Sequence, residues 1–276
     1  MGKVSKVLVK ENLKDALYKA IEAIAPLDKF IKKGDVVLIK PNFNTADPPP
    51  ASTDIDFLKT VVDIIYDAQP KLVMIGESST MTTNTKKVLE KVGVFNILNS
   101  KKPARIYVFE EFNWIQKEIK NGKYLKNVSI TEIIEKPDKI VLLPCLKTHK
   151  YAQFTGSLKL AVGFMKPIER ISLHLSFIQE KIAELNTLFT PNLIIMDARK
   201  CFISKGPQEG EIKTPNLILA SSDRIAIDVE GIKIIQSFKG NSLYKFNPWQ
   251  IPQIKRAIEL NIGAKNENEY EVIEIN

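Results

Sequence analysis

The sequence predicts an α/β fold: a mostly parallel, Rossmann-like sheet flanked by helices, with a small antiparallel hairpin excursion near residues 112–134. Three observations predict it. Strand-like apolar runs alternate with segments of helical period. The runs Val36-Val37-Leu38-Ile39 and Leu72-Val73-Met74-Ile75 are continuous rather than alternating, as in strands covered on both faces. Asn121-Gly122 is a hairpin turn signal between Trp114-Ile115 and Val128-Ile130.

In chain order, residues 4–9 read as a strand. Residues 12–24 place Leu13, Ala16, Leu17, Ala20, Ile21 and Ile24 at helical spacing. Gly34 introduces the strand 36–39, and Pro48-Pro49-Pro50 is too stiff and donor-poor for anything but a loop. Residues 54–68 form a helix with Leu58, Val61, Val62 and Ile65 on one side. The strand 72–75 and the helix 85–92, capped by Thr83 or Asn84, come next. A fourth strand covers 104–109, and after the hairpin 139–143 returns as a buried strand. Residues 154–165 and 171–189 read as helices separated by Pro167. Short strands at 193–196 and 217–219 and helices at 225–238 and 248–260 follow. Residues 270–275 alternate apolar and acidic like an edge strand. Residues 1–276 read as a single α/β domain, with two lobes as the alternative.

The chain has 276 residues, 44% of them hydrophobic and 26% charged, which excludes a disordered chain. The longest uncharged apolar stretch, 140–146, is too short to span a bilayer, and the first residues lack the apolar segment of a secretory signal. The expectation is a cytoplasmic protein without a membrane partner. Two cysteines, Cys145 and Cys201, are too few to hold an iron–sulfur cluster, which usually takes four. The net charge is +8, from 35 Lys and 5 Arg against 32 acidic residues. It reads first as a solvated lysine surface and second as a match to a small anionic partner. Nucleic acid ranks last: no basic run is interleaved with aromatics, no zinc-finger spacing is present, and arginine for base readout is scarce.

The apolar runs end in polar residues that a plain core has no use for. Residues 36–39 end in Lys40-Pro41-Asn42, and 72–75 in Gly76-Glu77-Ser78-Ser79. Residues 140–146 end in Lys147-Thr148-His149, 193–196 in Asp197, and 217–220 in Ser221-Ser222-Asp223. Ligands of open parallel sheets sit outside the carboxyl ends of the strands, so these tips are expected to converge on one pocket. Ser79, Thr83 and Asp223 also fit plain turn and cap roles. Lys40, Asn42, Ser78, Lys147 and Thr148 are the candidate substrate-binding residues; His149, Glu77 and Lys159 are the candidate catalytic ones. Thr155-Gly156-Ser157-Leu158-Lys159 is a glycine turn before a helix, suited to an anion or cofactor at Gly156 and Lys159, but it is not a Walker loop. Cys145, in an apolar run, reads as an inert core residue.

These segments, with Gly163, His174 and Gly206-Pro207, resemble the family "domain of unknown function 362" over about residues 35–235. That family usually has lysine where Cys145 stands and asparagine where Leu160 stands. Its members often carry an iron–sulfur domain, which implies a separate iron–sulfur or redox protein as a partner of this chain. More remotely, the order His149, Lys159, His174 resembles the N-terminal region of nickel-pincer lactate racemase. That likeness implies a cofactor on Lys159, a metal such as nickel on His174, and an acid–base role for His149. Ser157 stands where that family has its second glycine. The cofactor itself stays unidentified. The functional expectation is an enzyme acting on a small carboxylate or phosphorylated substrate by His/Lys/Glu acid–base chemistry, racemase- or epimerase-like. The alternative is a non-catalytic anion- or cofactor-binding accessory protein for a redox partner.

Overall fold

The computed structural model describes residues 1–99 and 104–276. The chain runs through β1 (Gly2–Leu8), α1 (Leu13–Ile24), β2 (Val36–Lys40), α2 (Ile55–Asp67), β3 (Leu72–Glu77), α3 (Thr85–Lys91) and β4 (Ala104–Val108). Next come β5 (Trp114–Glu118), β6 (Asn127–Thr131), β7 (Lys139–Leu142), β8 (Cys145–His149), β9 (Gln153–Thr155), α4 (Ser157–Leu160), α5 (Arg170–Leu175) and α6 (Ile178–Leu185). The last part holds β10 (Leu193–Phe202), β11 (Ile212–Lys213), β12 (Leu217–Ser221), α7 (Arg224–Gln236), α8 (Pro252–Glu259) and β13 (Tyr270–Ile275).

The main path of the central sheet is β13-β1-β12-β10-β7-β2-β3-β4, with β8, β9 and β11 paired off it. The neighbours from β10 through β4 are parallel, as the buried runs require. Alternation along each strand feeds two cores. Val37, Ile39, Val73 and Ile75 pack under α1 and α2, against Leu17, Ile21, Phe57 and Val61. Leu38, Met74, Ile194 and Met196 face the opposite layer, which holds α4 to α8 with Phe154 and Phe164. Short polar side chains start the helices: Asn12, Asp54, Asn84 and Asp223 each accept backbone N–H bonds of the first turn. β5 and β6 form the separate antiparallel pair expected near 112–134, and Gly122 is required in its turn because a Cβ there would lie 2.0 Å from the Leu125 carbonyl oxygen.

Five expectations need correction. Lys147, Thr148 and His149 are not a loop beyond a strand; they lie within β8, which resumes after Pro144 interrupts the ladder. Residues 154–165 are not one helix, because Phe154 and Thr155 pair with β8 and Gly156 ends the strand. Residues 171–189 break at Ser176 and Phe177, where Ser176 is extended and Phe177 adopts φ 52°. The strand at 193 runs ten residues, to Phe202. Finally, β12 runs antiparallel to β10, with Ser221 opposite Ile194, so its tip lies at the amino ends of the parallel strands, away from the other tips.

Candidate functional site

β2 and β3 lie side by side and parallel, so Lys40 and Glu77 at their carboxyl ends become neighbours. Their side chains form a direct buried ion pair. Glu77 also accepts from the Phe43 N–H (2.7 Å) and the Ser78 N–H (2.8 Å), and Lys40 donates to the Pro41 carbonyl (2.8 Å). Burial pushes the Lys40 ammonium down, and the Glu77 contact opposes it. Gly163 makes the space: a Cβ there would lie 2.7 Å from Lys40 Cε. Arg170, the first residue of α5, reaches back to the same place. It donates to the Ser79 carbonyl (2.7 Å), the Met165 carbonyl (2.8 Å) and Ser78 Oγ (2.6 Å), while Ser78 Oγ donates to Glu110 (2.8 Å). Ser78 and Arg170 are therefore committed to the scaffold.

This network walls a recess of about 480 Å³ that Asn42, Lys147, Thr155, Lys159 and Pro207 complete. Lys147 is buried and donates to the Ala51 carbonyl; burial lowers its ammonium, against the pull of nearby Cys145 and Asp47. Lys159, on the short α4, has no hydrogen-bond or ion-pair partner among the described residues. Burial, with Lys147 and Arg170 nearby, pushes its ammonium down to about 7. The Thr155 hydroxyl is buried and likewise has no partner.

An outer cavity of about 1120 Å³ shares Asn44, Lys159, Val162, Arg170 and Pro207 with the recess and adds His149, Tyr151 and His174. The Tyr151 ring lies 6.2 Å from each imidazole. The two histidines carry their protons on opposite nitrogens. His149 Nδ1 accepts the Tyr151 and Ala152 N–H groups (3.1 and 3.0 Å), which places the ring proton on Nε2. Burial, helped by Lys159, Lys147, His174 and Lys150, holds its imidazolium down to about 2, so the ring stays neutral and Nε2–H donates. His174 Nδ1 faces the Arg170 carbonyl at 2.9 Å and must donate, so in the neutral ring the lone pair is on Nε2. A neutral His149 with an Nε2–H is neither a proton acceptor nor a metal ligand at that nitrogen; His174 has the lone pair for either.

Lys40, Asn42, Glu77, Ser78, Lys147 and Lys159 thus meet in the recess, and His149, Lys159 and His174 face the outer cavity. Other expected residues do not join them. Thr148 lines neither cavity, and its carbonyl sits where only Gly206, at φ 60°, lets the 204–210 loop pass. Gly156 does not cradle a cofactor: the N-terminus of α4 is taken by Asp228, which accepts from the Ser157 and Leu158 N–H groups (2.6 and 3.0 Å). A Cβ on Gly156 would lie 2.3 Å from that carboxylate. Asp197 pairs with Arg199 (2.7 Å) and lines a separate cavity of about 790 Å³ beside Cys145 and the Pro48-Pro49-Pro50 loop. Among the described residues no three His, Cys, Asp or Glu side chains gather to hold a metal ion, so the residues present do not fit a protein-held nickel site on their own. Sequence reasoning missed Arg170, Thr155 and Tyr151. For Arg170 a signal existed: in a chain with five arginines, an arginine marks a place where a planar fork matters.

No helix among the described residues is long and apolar enough to cross a membrane. The chain is 23% identical over 235 residues to a thylakoid-associated protein of Synechocystis sp., covering 80% of this chain and 69% of that one. A crystal structure of a Thermotoga maritima protein matches its fold with TM-score 0.51 and 12% identity, over 83% of this chain. The lactate racemase apoprotein of Thermoanaerobacterium thermosaccharolyticum matches with TM-score 0.43 and 13% identity, over 85% of this chain. This chain spans 59% and 57% of the lengths of those two structures. The family model described as "Domain of unknown function (DUF362)" matches residues 37–233, from β2 through most of α7, and the chain belongs to that family.

Proposed function

We propose that this chain is an enzyme that moves a proton on a small anionic substrate, a carboxylate or phosphate compound, in the joined cavities around Lys159. One observation carries the reading: Lys159 presents an amine lowered to about 7, without a partner, between a cationic recess and two histidines of opposite tautomer. A group poised near neutrality both takes and gives a proton efficiently. In this reading Lys147 holds the anionic group in the recess by charge-assisted hydrogen bonds, and the His149 Nε2–H donates to the part of the substrate in the outer cavity. Lys159 and the His174 Nε2 lone pair then remove and return a proton at a substrate carbon next to a carbonyl or carboxylate group, which takes up the electron pair, the chemistry of racemases and epimerases. Glu77 keeps Lys40 in place rather than acting as a base, because both of its oxygens are already engaged. The reading uses no metal. Two buried free thiols, Cys145 and Cys201, suit a reducing cytoplasm, where we place the reaction.

The test is exchange of carbon-bound hydrogen. Pools of small carboxylates and phosphates are incubated with the protein in deuterated water and read by mass spectrometry. Exchange that Lys159→Met and His174→Ala abolish supports the reading. Exchange unchanged in Lys159→Met ends it, and ligand binding with no exchange in any pool favours the accessory-protein alternative.

A further inference from the structure

Resting on the anion-site reading above, we infer that the recess receives the phosphate group of a phosphate monoester, held by Lys147, Lys159 and the Thr155 hydroxyl. The charges that line it are unbalanced. Lys40, Lys147, Lys159 and Arg170 face a single lining carboxylate, Glu77, which Lys40 neutralises. The Arg170 fork is spent on carbonyl oxygens and Ser78 Oγ, so it contributes charge rather than free donors. The unspent donors are the Lys147 N–H groups beyond the one on Ala51, Thr155 Oγ, whose hydroxyl is buried without a partner, and the N–H groups that Lys159 keeps in either protonation state. A carboxylate brings one charge and two oxygens, and leaves buried positive charge uncompensated. A phosphate monoester brings a charge of about −1.5 to −2 and three terminal oxygens, which matches both the excess charge and the donors. The recess is the smaller of the two joined spaces, so it takes the head group, while the rest of the ligand lies in the outer cavity beside Tyr151 and His174.

Calorimetric titration tests this with glycerol phosphate in solution, phosphatidic acid vesicles and acetate as probes. Glycerol phosphate or the vesicles should bind and acetate should not; which of the two binds tells a soluble ester from a lipid headgroup. Thr155→Val, nearly the same shape, should weaken binding about tenfold, the worth of one charge-assisted hydrogen bond. Lys147→Met should weaken it about a hundredfold, and Lys239→Met, on the exposed surface, should leave it unchanged. Acetate binding as tightly as the phosphates, or Thr155→Val binding like the unmodified protein while keeping its melting temperature, overturns the inference. Acylation of Lys159 by acetic anhydride at pH 7 separates this from the amine reading. Fast labelling that no phosphate slows sinks the phosphate inference alone. Slow labelling with phosphate binding intact sinks the amine reading alone.

Discussion

His149 and His174 are the two histidines of the chain, and backbone partners two to four residues away give them opposite proton positions. His149→Ala should therefore weaken substrate binding and also lower stability. It orphans two turn N–H groups between β8 and β9 and should cost about 1–3 kcal/mol, read by denaturant titration. His174→Ala should leave the melting temperature almost unchanged and remove proton exchange. The reverse pattern would assign the base to His149. Lys159 makes a second prediction. Its folded value near 7 lies below its ordinary value of 10.5, so between those two pH values the unfolded chain binds more protons than the folded one. Its contribution to stability is thus unfavourable below pH 7 and is relieved as the pH rises through that window. Lys159→Met should melt higher than the unmodified protein at pH 6, with the gap shrinking toward pH 9. A lower melting point at pH 6 contradicts the buried-charge account. Exchange activity should rise through pH 7 as the amine deprotonates.

At the scale of elements, two close approaches position the site. α4 can sit against Asp228 only because residue 156 has no side chain, and Gly163, three residues past the end of α4, leaves room for Lys40. Gly163→Ala should push Lys40 off Glu77 and weaken anion binding, with a stability loss of about 1–3 kcal/mol from the disturbed ion pair. Binding equal to the unmodified protein would show that the Lys40–Glu77 pair is dispensable. Asp228→Asn keeps the shape but points an amide donor at one of the two N–H groups of α4. It should destabilise by about 1–3 kcal/mol, checked by thermal melting. The strand tips Lys40 and Glu77 were legible in the sequence, because a charge ending a buried run has few uses in a core. Gly156 was misread: a glycine before a helix suits an anion, and the anion that meets this one is the chain's own Asp228, 72 residues on. Thr155 was passed over, since an orphaned hydroxyl exists only once its surroundings are packed.

For the molecule as a whole, β1 joins β12 to β13, and the C-terminal strand adds a parallel ladder from Gly2–Tyr270 to Val7–Ile275 plus the bond from the Tyr270 hydroxyl to Glu230 (2.7 Å). Removing residues 270–276 strips one face of the ladder from β1 and leaves an open edge. The truncated protein should melt lower and self-associate, visible by light scattering on heating. An unchanged melting temperature would mean that β1 is held by β12 alone. The two core layers follow directly from the period-2 and period-3.6 patterns, which fix which residues face inward.

The order of residues by itself determined the kinds of most elements, the caps at Asn84 and Asp223, the buried character of the central strands and the polar tips worth suspecting, because each of these depends on neighbours within a few positions. Only the tertiary structure decided which tips share a recess. It turned β12 around, so Ser221 and Asp223 left the group, and it folded α5 back, so Arg170 joined it. It also decided the chemistry of Lys159. Strand direction depends on pairings between segments far apart in the chain, and an amine's proton affinity depends on how thoroughly the whole packed molecule keeps water and counter-charges away from it.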